Sequence, residues 1–188
     1  LLGASASTKQ TPGKQVGGSN NYFIGSDQKN WARDCRIFQA VTYENIYPNI
    51  DLRYYSSSGH LKYDFIVRPG GNPNAIALRY DGPELAIKER ELLIKTPTGT
   101  VRELYPYTYQ SAGGKTVEVN CKYVLKDNVV TFQVKNYDFK ETLIIDPSVI
   151  FSTFSGSSPQ NWGYTATPAP DGSLYGGGIV FGGSYPVT

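Results

Sequence analysis

The sequence predicts an all-β fold: an antiparallel sandwich or barrel-like module followed by a single propeller-blade-like β-meander. Three observations carry this expectation. Apolar and polar residues alternate with period two along several segments, and no helical period is sustained. Aromatic residues make up 13% of the chain, 15 of them tyrosines, and such side chains suit a pleated, half-buried surface. Twenty glycines and 12 prolines punctuate these segments at short spacing. The sum is roughly a dozen short strands, the pattern of a sandwich, barrel or propeller.

Residues 1–19 are small, polar and Gly-rich, and read as an extended arm or loop with little to bury. Asn21–Gly25 is a short apolar patch, and Gln28–Asp34 has the makings of one helical turn that packs Trp31 onto a sheet. Alternation begins at Arg36 and runs to Tyr43, and Tyr47-Pro48-Asn49 is a turn. Ile50–Tyr55 and Leu61–Val67 alternate cleanly around Ser56–Gly59, which predicts a hairpin. Asn74–Tyr80 is a further strand, closed by Asp81-Gly82-Pro83. Leu85–Ile87 and Leu92–Ile94 flank a charged, solvated tip at Lys88–Glu91, and Val101–Leu104 follows Thr98-Gly99. After Tyr105–Gln110 and a Gly113-Gly114 turn, Val117, Val119, Cys121, Tyr123 and Leu125 fall on one face of a long strand. Asp127-Asn128 turns that strand into Val130, Phe132 and Val134, and Thr142–Ile145 is the last strand before Asp146-Pro147.

Composition shifts at that point, since residues 148–188 contain no Lys or Arg. The expected organisation is an arm over 1–19, a β-rich module over 20–147, and one blade-like meander over 148–188. A single blade cannot bury both of its faces, and repeat architectures need about three units. The sequence therefore predicts a piece of a longer protein.

Charge and composition narrow the function. The 18 basic and 16 acidic residues are scattered and leave a net charge of +2, so nothing points to nucleic acid. No apolar run is long enough to span a membrane as a helix. His60 is the single histidine, and it sits beside a turn without a second ligand or a serine partner. No Gly-x-Ser-x-Gly elbow occurs. Gly176–Gly182 has a Phe where the third glycine of a dinucleotide loop would stand and lacks a following helix, so it reads as a bulge or tight turn. Asp171-Gly172-Ser173 lacks the alternating ligands of a calcium loop. The sequence predicts no cofactor, no metal site and no catalytic residue.

Carboxylates, aromatics and cysteines remain. Asp51, Asp64, Asp81, Asp138 and Asp146 lie near strand ends, where such residues bond turn backbone, though a pair about 5–9 Å apart would suit a glycosidase. Most tyrosines, Tyr54 and Tyr55 among them, are expected to cover the two faces of a thin sheet. Tyr105 and Tyr107, set around Pro106, are the candidates for exposed, surface-binding aromatics. Cys35 and Cys121 have no His or Cys nearby, which argues against zinc. They predict one disulfide between an early and a late strand, which would add roughly 4–5 kcal/mol in the chain-entropy account. The alternative is two buried thiols acting as small hydrophobes.

Asn21–Gly25 with Trp31, Val41–Leu52, Leu61–Gly70, Pro106–Gln110 and Leu143–Pro147 resemble, in order and spacing, the β-rich N-terminal region of bacterial SBBP-repeat proteins, named for a seven-bladed β-propeller repeat. Phe151–Ser157 and Asp171–Gly178 resemble that repeat itself, and Asn161-Trp162-Gly163 is similar to members from gliding bacteria, which often end in a gliding-motility-associated domain exported by the type IX system. The resemblance covers about Asn20 to the C-terminus. It implies a large secreted or surface-attached protein, non-enzymatic and acting in adhesion, surface interaction or assembly, at the bacterial cell surface or outside the cell. Its partners would be other protein chains, the rest of the same polypeptide, or surface glycans. It supplies no catalytic residues. The chain departs from the family in holding one repeat, too few to close a propeller, and in lacking upstream strands, which leaves a sheet edge open. The rival expectations are a carbohydrate-binding or carbohydrate-active module, favoured by exposed aromatics beside paired carboxylates, and a structural spacer in an export substrate or filament.

Overall fold

The computed structural model describes residues 1–57, 60–97, 99–150, 161–168 and 174–180; at 60, 112, 150, 161–168 and 174–180 it describes the backbone alone. The Ser56–Gly59 turn at its tip, the His60 side chain, Phe151–Ser157 and Asp171-Gly172-Ser173 fall outside what is described. The chain is all-β, and none of its described sheets closes into a barrel. It divides into two compact units, Leu1–Phe151 and Ser152–Thr188.

The first unit runs β1 (Lys9–Pro12), β2 (Gln15–Tyr22), β3 (Ala32–Phe38), β4 (Ala40–Tyr47), β5 (Ile50–Ser57), β6 (His60–Val67), β7 (Ala77–Arg79) and β8 (Glu84–Lys88). It continues through β9 (Glu91–Thr96), β10 (Gly99–Glu103), β11 (Tyr107–Ala112), β12 (Lys115–Glu118), β13 (Asn120–Lys126), β14 (Val129–Lys135), β15 (Leu143–Asp146) and β16 (Val149–Ile150). A seven-stranded sheet has the order β1-β4-β5-β6-β15-β11-β12. Two smaller sheets, β16-β10-β9-β8 and β13-β14-β7, complete the core, and β2-β3 form a separate hairpin. In the second unit, β17 (Asn161–Pro168) and β18 (Leu174–Val180) pair antiparallel, with a register shift between Gly163 and Thr165.

The strong hairpins form where alternation meets a tight turn. β8–β9, β11–β12 and β13–β14 are each joined by two residues with positive φ: Glu89 and Arg90 at 52° and 68°, Gly113 and Gly114 at 58° and 78°, Asp127 and Asn128 at 50° and 58°. Such turns match the twist of the strands they join. Gly71 is required for a different reason, because a Cβ there would lie 2.8 Å from the Asn49 carbonyl oxygen.

Four elements differ from the sequence expectation. The strand expected over Asn74–Tyr80 is strand only at Ala77–Arg79, because Pro73 opens a 3-10 turn over Pro73–Ala75. Residues 1–19 hold β1 and part of β2 rather than a bare arm; β1 extends the large sheet at its edge, Lys9 opposite Glu44 and Pro12 opposite Val41. That pairing is made by backbone, so a polar, Gly-rich sequence suffices. The helical turn is a single 3-10 turn, Gln28–Asn30, after which Trp31 stacks edge-on against Phe23 at 5.1 Å rather than on the core. The long strand through Val117 and Leu125 is two strands in two sheets. The break falls at Val119, whose N–H bonds the Thr108 carbonyl at 2.8 Å, and β12 leaves Val117 exposed while β13 turns Cys121 and Tyr123 inward.

The core gathers the inward residues of all three sheets. Ile50, Leu52, Phe65, Val67, Leu143 and Ile145 of the large sheet meet Cys121, Tyr123, Val130 and Phe132, and Leu85 and Leu92. Aromatic rings continue this contact: Tyr43, Tyr54, Tyr63, Phe65, Phe132 and Tyr123 follow one another at centroid spacings of 5.5–6.1 Å. Replacing Phe132, 1% exposed, by Ala should cost about 3–5 kcal/mol in urea unfolding; a loss under ~1 kcal/mol would mean that the Phe65–Phe132 contact does not seal the sheets together.

The expected Cys35–Cys121 disulfide is absent, and both residues are free thiols. Cys121 lies on β13 with its side chain fully enclosed in the core, where burial pushes the thiol's pKa up. Cys35 is half-buried on β3, opposite Asn20 in the separate β2–β3 hairpin. Iodoacetamide should add two adducts in denaturant without reductant, and in the native protein should label Cys35 well before Cys121. A non-reduced mass two daltons light, with no adducts, would contradict this assignment.

Candidate functional site

Strand pairing, not proximity in sequence, builds the most chemically loaded surface. Period two sends Arg53 and Tyr55 of β5, and Lys62 and Asp64 of β6, to the outer face of the seven-stranded sheet; Arg53 stands opposite Asp64 and Tyr55 opposite Lys62. β15 then pairs with β6 so that Ile145 faces Phe65, which puts Asp146 next to Asp64 on the same outer face. On the far side of β15, Asp146 is opposite Tyr107 of β11, and two residues on Tyr109 is opposite Glu118 of β12. Five strands thus contribute one strip of carboxylates, cations and phenols.

The side chains in the strip are tied together. Lys62 Nζ lies 2.8 Å from Asp146 Oδ1 and 2.9 Å from Oδ2, and its aligned hydrogen bond goes to Oδ2. Oδ1 is buried and held by charge alone. Tyr55 donates its phenol to Asp64 Oδ1 at 3.1 Å, and the Arg53 guanidinium stands 5.1 Å over the Tyr55 ring. Tyr107, 39% exposed, and Tyr109 lie with ring centroids 5.4 Å apart and planes tilted by 33°. Asp64 is 8% exposed. Its burial, and then the charge on Asp146, push its pKa up to about 6, against the Tyr55 hydrogen bond and the Lys62 charge. Burial and the two aspartates also raise the Tyr109 phenol.

Of the two aromatics expected at the surface, Tyr107 is exposed, whereas Tyr105 is half-buried. Tyr105 donates to Glu118 Oε1, and the Arg90 guanidinium stacks on its ring at 4.1 Å. This contact uses one of the two non-glycine residues at the positive-φ tip of β8–β9. The other aspartates do structural work. Asp51 accepts from the Asn45 N–H at 2.7 Å and pairs with Arg68 at 2.9 Å, Asp81 pairs with Arg79, and Asp138 accepts from the Lys140 N–H. Sequence reasoning named Asp64 and Asp146 only as two of five strand-end acids, weighed Tyr109 as a stacking ring but left it among those expected to cover the sheet, and passed over Lys62. The signal for all four was alternation, but which alternating faces adjoin depends on β15 inserting between β6 and β11.

A second polar cluster lies inside. Tyr63 of β6 and Tyr123 of β13 donate to Glu103 Oε1 of β10 at 2.6 and 2.8 Å, and Tyr123 also approaches the Leu104 carbonyl at 2.9 Å. Glu103 is 2% exposed; burial raises its carboxyl pKa, and the two phenols pull it back down. It lines a cavity of about 420 Å³ together with Tyr54, Tyr63 and Tyr80. Among the described residues, no three His, Cys, Asp or Glu side chains converge as metal ligands would, and no helix is long and apolar enough to cross a membrane.

The Asp64 environment has a measurable consequence. The folded carboxyl, near 6, takes up a proton more readily than the unfolded one near 3.8. Its contribution to stability is therefore full at low pH and is lost as pH rises through about 6. Asp64→Asn should gain on the parent protein by about 1–3 kcal/mol between pH 4 and pH 7 in urea midpoints. A gap that stays constant with pH would contradict the raised carboxyl.

No curated protein and no solved structure matches the chain. A family model described as a domain of unknown function, DUF7948, matches residues 1–148, which is nearly all of the first unit. The chain belongs to the DUF7948 family.

Proposed function

We propose that this chain is a non-enzymatic, secreted or cell-surface module of a longer bacterial protein, and that it binds surface glycans through the outer face of its seven-stranded sheet. The observation that carries the reading is the Tyr107–Tyr109 ring pair standing beside Asp64, Asp146 and Lys62 on the outer face of the seven-stranded sheet. A pyranose offers an apolar C–H face and a rim of hydroxyls. The exposed Tyr107 ring, backed by the half-buried Tyr109, suits the first, and carboxylates and an ammonium suit the second. The resemblance to SBBP-repeat proteins supports the cellular setting: an adhesive surface, with type IX export and gliding motility as its context. The same resemblance makes the remainder of the polypeptide a partner of this module.

One observation favours a hydrolytic alternative, since a carboxyl raised to about 6 beside a second carboxylate is the pairing of a glycosidase acid and base. The binding reading is preferred because Asp146 is neutralised by Lys62, and Asp64 is 8% exposed and held by Tyr55. Neither aspartate lines the cavity beside Glu103, nor the smaller ones beside Phe38 and beside Lys88.

Affinity electrophoresis against a panel of soluble polysaccharides should retard the protein on at least one of them. Tyr107→Ala should weaken that retardation about tenfold, or 1.4 kcal/mol, with at most a small fall in melting temperature because the residue is 39% exposed. Retention by none of the polysaccharides, or full retention of the Tyr107→Ala variant, would sink the glycan reading. Release of reducing sugar by the parent protein but not by Asp64→Asn would decide for the hydrolytic one.

A further inference from the structure

The inner cavity uses a different set of residues from the sheet face and asks for a different ligand. Its volume of about 420 Å³ falls within the roughly 300–1,000 Å³ range of small-molecule sites. Leu52 of β5, Leu78 of β7 and Ile94 of β9 make its walls apolar, and the rings of Tyr54, Tyr63 and Tyr80 line it. Into this surface the fold places one carboxylate, Glu103.

The carboxylate is incompletely served. Both phenols that reach it donate to Oε1, and no donor among the described residues bonds Oε2. No Lys or Arg forms an ion pair with it among those residues. Arg79, the basic residue on the cavity wall, has turned its guanidinium to Asp81, with Nε 2.9 Å from Oδ1. A buried carboxylate without a counter-ion is costly, and a ligand cation would remove that cost. Tyrosine ring faces attract the same kind of group, and aromatic walls with a carboxylate are suited to ammonium ligands. The remaining apolar wall needs an apolar body.

We propose that the cavity between the large sheet and the β16-β10-β9-β8 sheet binds a small organic amine with an apolar body, its ammonium on Glu103 and its body against Leu52, Leu78 and Ile94. The site is independent of glycan binding on the outer face.

The test titrates 2-phenylethylamine into the intact 188-residue chain at pH 7.5, followed by amide chemical shifts, with 2-phenylethanol and phenylacetate as neutral and anionic comparisons. The amine should bind saturably, shift residues of β7, β9 and β10, and exceed the alcohol at least tenfold in affinity. Phenylacetate should not bind. Glu103→Gln keeps an acceptor for the two phenols and should lower the amine to the level of the alcohol. Ile94→Trp, which fills the cavity and leaves Glu103 in place, should abolish both. Asp64→Asn should leave amine binding unchanged, which separates this site from the sheet face. No saturable amine binding, equal affinity for the alcohol, or an amine affinity unchanged in Glu103→Gln would overturn the proposal. Should Glu103→Gln fail to fold, unchanged amine binding by Ile94→Trp overturns it instead.

Discussion

One carboxylate connects the three sheets that form the core of the first unit. Glu103 sits on β10 of the four-stranded sheet, and it accepts from Tyr63 of the seven-stranded sheet and from Tyr123 of the three-stranded sheet. Apolar packing pulls these sheets together without specifying their spacing, whereas two hydrogen bonds of 2.6 and 2.8 Å to one oxygen fix it. Hydrogen bonds to a charged group contribute roughly 1.5–3 kcal/mol, and leaving the buried acceptor unmade would cost as much or more. The aromatic series from Tyr43 to Tyr123 passes through both phenols, so the same two residues serve the core with their rings and the carboxylate with their hydroxyls. The cavity is the space this arrangement leaves open.

The period of two then divides chemistry between the two sides of the large sheet. Tyr54 and Tyr63 turn inward to the cavity, while their chain neighbours Tyr55, Lys62 and Asp64 turn outward to the face proposed for glycan. Neither surface is a local motif. The outer one exists because β15 enters between β6 and β11, bringing Asp146 against Asp64 on one side and Tyr107 on the other. The inner one exists because β10 lays its last residue under the phenols of two other sheets. The two proposed sites therefore share a scaffold and can be perturbed separately.

This explains what could be read in advance. The hairpins β5–β6, β8–β9 and β13–β14 announce themselves, because alternation and turn chemistry lie within one short stretch. The step from β12 to β13 does not: no Gly or Pro marks Val119, and both halves keep the same alternation while changing sheets. β1 was hidden because an edge strand paired by its backbone needs no apolar pattern. Glu103 ends a strand whose sequence, Gly-Thr-Val-Arg-Glu, suggests a solvated rim; its burial is decided by Tyr63 and Tyr123, which lie 40 and 20 residues away. A disulfide was the natural reading of two lone cysteines, but the register gives each an unrelated neighbour: Cys35 faces Asn20 and Cys121 faces Val134.

The claim that Glu103 couples the sheets is tested most directly by a double-mutant cycle on Glu103→Gln and Tyr123→Phe, read by urea unfolding. The account predicts a coupling energy of about 1–3 kcal/mol, because each substitution removes part of the same buried interaction. Effects that add to within ~0.5 kcal/mol would contradict it, and would assign the spacing of the sheets to apolar packing alone.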